Sequence, residues 1–180
     1  MSERGSRVRV RPVVEEDEAA FIAAARRSLG LHHGWVRSPT TPATFKEYLA
    51  RFDGLRSFGF VLELIATGEL VGYVNISQVV HDAYQRGILG YAIFVPHQCQ
   101  GLMTEGLGLV REHAFRELGL HRLEAEIQPE NQPSLRLVKR LDFHQEGISP
   151  GLICIDEEWK DHERWAVVDV SGARVSASEG

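Results

Sequence analysis

The chain has 180 residues, of which 43% are hydrophobic and 25% are charged, values typical of a globular protein. This length supports one domain with a sizeable core and is short for two. Lys and Arg total 20 and Asp and Glu total 25, so the formal charge is 20 − 25 = −5. Nucleic-acid-binding proteins usually carry a basic face. We therefore expect one domain over residues 7–170 that binds no nucleic acid, with flexible termini at residues 1–6 and 171–180.

The sequence also bears on compartment. No apolar run approaches the roughly 20 residues of a membrane-spanning helix, and no apolar segment of a signal peptide follows the N-terminal arginines. Cys99 and Cys154 are too few for a disulfide framework or a zinc site. His32 and His33 lack a partner at metal-ligand spacing. The expectation is a reduced, cytoplasmic protein that uses no membrane and no metal.

Hydrophobic periodicity and turn residues predict the elements. In chain order they are a strand at Val8–Arg11, a helix after the acidic run Glu15–Glu18, a loop at Leu31–Thr41, a helix at Thr44–Leu55, strands at Phe60–Ile65, Leu70–Ile76 and Gly87–Val95, a helix from Met103 to Leu118, a strand at Arg122–Gln128, a helix after Asn131, and late strands at Phe143–Ile148, Leu152–Ile155 and Arg164–Val170. This order predicts a mixed α/β domain with a single sheet of about seven strands and about four helices.

A short polar loop joins the buried strand ending at Val95 to the helix that starts near Gly101. The first turn of a helix has N–H groups without intrahelical partners, and the helix dipole adds about half a positive charge there. Such a turn binds phosphate or pyrophosphate, and Gly101 lets a ligand approach the backbone closely. Glycine at a helix start is also common for structural reasons alone. The P-loop and dinucleotide-binding fingerprints are both missing.

A second polar pair stands at a helix start, where Asn131 precedes Ser134 by three residues. Asn131 is explained as the residue that caps the helix, and Pro133 fits its first turn. Serine in a first turn is tolerated rather than required. Its hydroxyl can face outward and donate a hydrogen bond.

Together these segments resemble the GNAT acetyltransferase superfamily, and most closely its RimJ/RimL branch of ribosomal-protein N-terminal acetyltransferases. The motifs that carry the resemblance are Gly90-Tyr91-Ala92-Ile93, Gln98-x-x-Gly101-x-Met103-Thr104-Glu105, Asn131-x-x-Ser134 and Trp159-Lys160-Asp161-His162. The resemblance implies a splayed sheet of the GNAT fold, acetyl-CoA as co-substrate and an amine as acceptor. It also allows a homodimer.

The resemblance further implies roles for individual residues. The coenzyme-binding residues that it implies are Phe94, Val95, Gln98, Cys99, Gln100, Gly101, Leu102, Met103, Asn131, Ser134 and Arg140. The amides of residues 99–103 hold the pyrophosphate, the end of the strand pairs with the pantetheine, and an N–H near Val95 stabilises the oxyanion. Ser134 is the catalytic residue that assists the departing thiol, and Trp35 lines the amine pocket. No general base is implied, because Ile153 stands near the position of a glutamate in some relatives.

The acceptor stays open at this point. An α-amine with a pKa near 8 is about 10% neutral at pH 7, whereas a lysine amine is neutral to only about 0.04%. A chain without a recognised base therefore favours the α-amine of a protein N-terminus. The alternatives are a small-molecule amine (an antibiotic, a polyamine or an amino-acid derivative) and a non-catalytic acyl-CoA-binding module. Two departures from the family pattern are Cys99 and Asp142, each where glycine is usual.

Overall fold

The computed structural model describes residue 1 and residues 5–170, so most of the predicted flexible termini, residues 2–4 and 171–180, lie outside the described residues. The described residues form seven strands, five α-helices and one 3₁₀ turn. In chain order they are β1 (Val8–Pro12), the turn Glu15–Asp17, α1 (Glu18–Arg27), α2 (Leu29–His32), α3 (Pro42–Leu49), β2 (Phe58–Leu64), β3 (Leu70–Val80), β4 (Arg86–Ile93), α4 (Leu102–Arg116), β5 (Arg122–Ile127), α5 (Gln132–Arg140), β6 (His144–Ile155) and β7 (Glu158–Val168). The predicted mixed α/β class is confirmed.

Several predicted elements are wrong in their bounds. Strand β3 runs to Val80 rather than Ile76, β4 ends at Ile93 rather than Val95, and β7 begins at Glu158 rather than Arg164. The short helix α2 begins before the expected loop and ends within it. Helix α3 ends at Leu49 rather than Leu55, because Asp53 Oδ1 accepts the amides of residues 55–57 and turns the chain. The two late strands before Ile155 are one strand, β6, whose register with β7 shifts between Ser149 and Ile153.

All seven strands form one sheet in the order β1-β2-β3-β4-β5-β7-β6. Neighbouring strands are antiparallel except β4 and β5, which are parallel because α4 crosses over between them. Their register runs from the pair Arg86 and Arg122 to the pair Leu89 and Ala125. Beyond that point β4 continues to Ile93 and β5 to Ile127, and the described residues show no further pairing between them. The sheet therefore opens into a gap at this end.

Helices cover both faces of the sheet, so the core has two parts. One part packs α4 and α5 against the sheet around Leu62, Leu107 and Val138. The other packs α1 and α3 around Phe21, whose ring lies 5.3 Å from that of Phe94 on the strand side. None of the described helices is both long and apolar enough to cross a membrane.

Candidate active site

A cavity of about 130 Å³ lies where β4 and β5 separate. Its lining combines the segment after α2 with both strands, the start of α5 and β7. The polar and aromatic lining residues are Trp35, Tyr91, Glu126, Gln128, Asn131, Ser134 and His162. The gap therefore gathers three residues predicted from the sequence, Trp35, Asn131 and Ser134, with four that were not predicted as site residues.

The hydroxyl of Ser134 faces this cavity from the first turn of α5. Asn131 caps the helix as predicted, because its Oδ1 accepts the backbone N–H of Ser134 at 3.2 Å. The Ser134 Oγ atom instead lies 2.6 Å from the hydroxyl of Tyr91 on β4. Burial raises the pKa of Tyr91 to about 12, so this phenol stays protonated at neutral pH.

Glu126 is the carboxylate of the cavity lining, and sequence reasoning missed it. Burial raises the pKa of Glu126, and the nearby His162 acts in the opposite direction. His162 is buried at 3% exposure, with Nδ1 3.0 Å from the carbonyl of Lys160. The available signal was the strand alternation, which buries Leu123, Ala125 and Ile127 in one direction and turns Glu126 the other way. A carboxylate with a raised pKa in a cleft is suited to accept a proton from an amine.

The loop between β4 and α4 presents a row of free backbone donors. Among the described residues, the amides of residues 98–104 have no hydrogen-bond acceptor, and the first bond of α4 runs from Glu105 N–H to the Gly101 carbonyl at 3.1 Å. The side-chain oxygen of Gln98 is also buried without a partner. Cys99 and Gly101 both have left-handed backbone, with φ of 61° and 79°. This conformation explains why glycine is usual where Cys99 stands.

Arg7, at the start of the sheet, fixes this loop from outside. Its guanidinium donates to the carbonyl of Gln100 at 2.8 Å and to the carboxylate of Glu105 at 2.8 Å. Burial opposes ionisation of Glu105, yet these contacts with Arg7 lower its pKa. The acidic side chain in the first turn of α4 is therefore neutralised by a cation, which leaves the free amides suited to an anion.

The backbone N–H groups of Phe94 and Val95 both have partners within the protein. The N–H of Phe94 donates to Val71 at 2.7 Å, its carbonyl accepts from His97, and the N–H of Val95 donates to Ser28 Oγ at 2.9 Å. Because bonded and non-bonded pairs alternate along antiparallel strands, the backbone groups of Tyr91 and Ile93 are the ones directed into the gap. The N–H of Val95 itself is therefore not free to stabilise the oxyanion, and contact of Phe94 and Val95 with the coenzyme stays a prediction.

The remaining predicted residues fall into two groups. Leu102 and Met103 have buried side chains, at 2% and 8% exposure, so only their amides are available to a ligand. Arg140 is exposed and stands at the last residue of α5, six residues beyond Ser134. Six residues span about 9 Å along a helix. Arg140 therefore lies outside the cavity, and its contact with nucleotide phosphates stays a prediction.

Hydrogen bonds hold the segment that contains Trp35 over the gap between β4 and β5. Gln128 Nε2 donates to the Gly34 carbonyl at 2.8 Å, and Arg37 Nε donates to Asp156 at 2.9 Å. His32 Nε2 lies 2.8 Å from the carbonyl of Ile93, and burial lowers the pKa of this histidine. Neither histidine of the His32–His33 pair joins a cluster of three or more potential metal ligands within residues 5–170.

Comparison with known proteins agrees with this geometry. Residues 7–144 match the acetyltransferase (GNAT) domain family. The chain is 34% identical over 123 residues to the probable N-acetyltransferase YjcK of Bacillus subtilis, covering 68% of each chain. It is 36% identical over 94 residues to the [ribosomal protein uS5]-alanine N-acetyltransferase of Escherichia coli, covering 52% of this chain and 48% of that protein. The match thus spans about half of the latter relative.

Solved structures share the whole fold. RimJ of Mycobacterium smegmatis, in complex with CoA-disulfide, superposes with a TM-score of 0.82 at 26% identity, covering 93% of this chain and 84% of that one. Spermidine N-acetyltransferase of Vibrio cholerae, with CoA and spermine, gives a TM-score of 0.77 at 17% identity, covering 90% and 95%, which shows the fold alone. With the gap in the sheet, the free loop amides and the family match together, this chain belongs to the GNAT acetyltransferases, in the RimJ/RimL-like branch.

Proposed function

We propose that this enzyme transfers an acetyl group from acetyl-CoA to the α-amine of a protein N-terminus. The observation that carries the proposal is the gap between β4 and β5, where Ser134 and Glu126 face one cavity. The strand that lines this cavity leads directly to the loop of free amides. An acetyl donor that carries a thioester at one end and a pyrophosphate further along fits this arrangement, because the cavity and the loop of free amides follow one another along β4.

The loop and the strand end suit the two parts of the coenzyme. The amides of residues 98–104 offer donors for the pyrophosphate at the positive end of α4. The backbone groups of Tyr91 and Ile93 face the gap, and those of Tyr91 can pair with the pantetheine as a neighbouring strand would. The carbonyl of Ile93 is occupied by His32, so its N–H is the group left to stabilise the oxyanion.

The cavity residues suit direct transfer. The amine nitrogen attacks the thioester carbon, and Glu126 accepts the proton that the amine loses. The N–C bond forms first, and the carbonyl π pair moves to oxygen to give a tetrahedral oxyanion. When that pair re-forms the carbonyl, the C–S bond breaks and its electron pair leaves with sulfur. Ser134 donates a hydrogen bond to that sulfur, and solvent then supplies the proton that makes the free thiol. The contribution of the protein is mainly positioning and electrostatic stabilisation.

The cavity favours an α-amine over a polyamine. Glu126 is the acidic residue among those that line it, and the other lining residues are neutral, aromatic or apolar apart from His162. A polycation binds best where several carboxylates are spaced along its length. Asp156, outside the cavity lining, is already paired with Arg37. The relative that acts on an alanine N-terminus of ribosomal protein uS5 supports the same choice.

The test is thiol release from acetyl-CoA against three acceptor sets: peptides with free N-termini, polyamines and aminoglycosides. We expect turnover with peptides, lost on blocking the peptide N-terminus. Replacing Ser134 by Ala should lower kcat by about 10²-fold, since removing one hydrogen-bond donor to a charge that develops in the transition state costs about 10²–10³-fold. Turnover of polyamines alone would contradict the acceptor proposed here. Coenzyme binding without turnover of any amine would favour a binding module instead.

A further inference from the structure

We propose that Tyr91 is a positioning residue for the thiol-leaving step, holding the hydroxyl of Ser134 so that the serine proton points at the coenzyme sulfur. This inference rests on the function proposed above. Its basis is the contact between the Tyr91 hydroxyl and Ser134 Oγ, across the gap from β4 to α5. The two side chains are 43 residues apart in the sequence and line the same cavity.

Either hydroxyl of this pair could donate to the other, but only donation from Tyr91 to Ser134 serves the reaction. Within the described residues, Ser134 Oγ is the hydrogen-bond partner of the Tyr91 hydroxyl, at 2.6 Å. Asn131 binds the backbone N–H of Ser134 and leaves the serine hydroxyl alone. If Tyr91 donates, the Ser134 proton is free to point into the cavity. If Ser134 donated to Tyr91, the serine proton would be withdrawn from the sulfur.

Acidity favours donation from the tyrosine. A phenol titrates near 10, so its O–H is a stronger donor than an aliphatic hydroxyl. A hydroxyl that accepts one hydrogen bond also donates the next one more strongly, because hydrogen bonds in a chain polarise one another. Tyr91 therefore both orients Ser134 and strengthens its bond to the developing thiolate.

The tyrosine keeps its proton throughout. The pKa of Tyr91 is about 12, whereas a free thiol titrates near 8.5. Full transfer of the phenolic proton to the thiolate is therefore unfavourable by about a thousandfold. The pair acts by hydrogen bonding while the C–S electron pair moves to sulfur. The proton of the attacking amine goes to Glu126, as in the mechanism above.

The experiment is a double-mutant cycle on kcat, using Tyr91→Phe, Ser134→Ala and the double variant. We expect Tyr91→Phe to lower kcat about tenfold, the value of one hydrogen bond in the transition state. In the Ser134→Ala background the same change should cost less than about twofold, because its target hydroxyl is gone. KM for acetyl-CoA should change by less than about twofold, since the phenol acts on the leaving group.

Tyr48→Phe is the matched control. Tyr48 is buried, at 2% exposure, and its hydroxyl donates to Asn75 at 2.7 Å, away from the cavity lining. This variant loses a comparable bond and should keep kcat, although its thermal stability falls. A Tyr91→Phe variant that matches it, with unchanged kcat and lower stability, would show a structural role only and overturn the proposal.

The cycle also separates this proposal from the proposed function. Wild-type turnover with losses that multiply in the double variant overturns the role of Tyr91 and leaves acetyl transfer intact. A raised KM with unchanged kcat has the same meaning. Absence of turnover by the wild type over every acceptor set overturns the proposed function, and the role of Tyr91 falls with it.

Discussion

Glu126 shows how one side chain is kept ready to accept a proton. On β5 its neighbours Ala125 and Ile127 are buried, whereas Glu126 itself is half-buried in the cavity lining. Burial disfavours its charged form and raises its pKa, and the nearby His162 acts in the opposite direction. A base closer in pKa to the working pH transfers protons more effectively. The same burial makes the charged form a cost to folding.

We expect Glu126→Gln to lose activity in a pH-dependent way. With an acceptor of pKa near 8, about 10% of the amine is neutral at pH 7 and about 1% at pH 6. Without the base, kcat/KM should follow this neutral fraction, so the loss is about tenfold at pH 7, about 100-fold at pH 6 and small above pH 8. A pH profile of both proteins checks this, and a loss of equal size at every pH would contradict it.

The Glu126→Gln substitution should not lower stability at pH 7, although it lowers activity. Because the folded-state pKa of Glu126 is raised above 4.5, its favourable contribution is complete below the unfolded pKa and is lost as pH rises through the folded pKa. At pH 7 Glu126→Gln should therefore be at least as stable as the wild type. Thermal unfolding at pH 7 and at acidic pH measures this difference.

At the scale of elements, a glycine lets α4 pack closely against β2. A Cβ on Gly106 would lie 2.1 Å from Leu62 Cδ2, and Leu62 is fully buried on β2. The helix can therefore approach the sheet only because this position carries no side chain. Gly108, two residues on, has its nearest neighbour, Leu141 Cδ2, at 3.8 Å from an added Cβ.

These two glycines make a matched pair for a stability test. Gly106→Ala should lower the free energy of unfolding by about 1–3 kcal/mol, because the methyl group overpacks the core. Gly108→Ala should raise it by about 1 kcal/mol, because alanine is the better helix former and finds ordinary contacts. Urea unfolding midpoints at unchanged m-value measure both. Equal shifts in the same direction would contradict the close approach of α4 to β2.

At the scale of the whole molecule, distant parts of the chain meet around the site. Arg7 binds Glu105 across 98 residues, Ser28 accepts Val95 N–H across 67, and Gln128 binds Gly34 across 94. These bonds hold both ends of the β4–α4 loop and the segment over the cavity. The homodimer that the family resemblance allows stays a prediction.

Binding of coenzyme A should change both the hydrogen exchange of the loop amides and the stability of the whole protein. We expect coenzyme A to protect the amides of residues 98–104 from hydrogen exchange, because they lack acceptors in the described structure. The Val95 amide, already bonded to Ser28, is the internal control and should change little. At 100 times its Kd the coenzyme should stabilise the fold by about 2.7 kcal/mol, which raises Tm by about 5–10 °C. Stabilisation without protection of these amides would place the ligand elsewhere.

Periodicity was enough to predict most of the elements. The alternation of Arg122–Ile127, the apolar stripe of α4 and the Asn131 cap each depend on neighbours a few residues away, and these predictions are confirmed. The end of α3 and the continuity of β6 were mispredicted. They depend on the turn at Asp53 and on the pairing of β6 with β7, contacts that periodicity does not report.

Local sequence thus determined the fold class, the loop ahead of α4 and the position of Ser134, because helix starts, strand alternation and motif spacing are short-range properties. Only the tertiary structure decided which groups share the gap: it brought Tyr91 and Glu126 to Ser134, and it used the N–H groups of Phe94 and Val95 inside the protein. The physical reason is that hydrogen bonds between distant strands and helices compete for the same backbone groups. That competition is resolved only when the sheet is assembled.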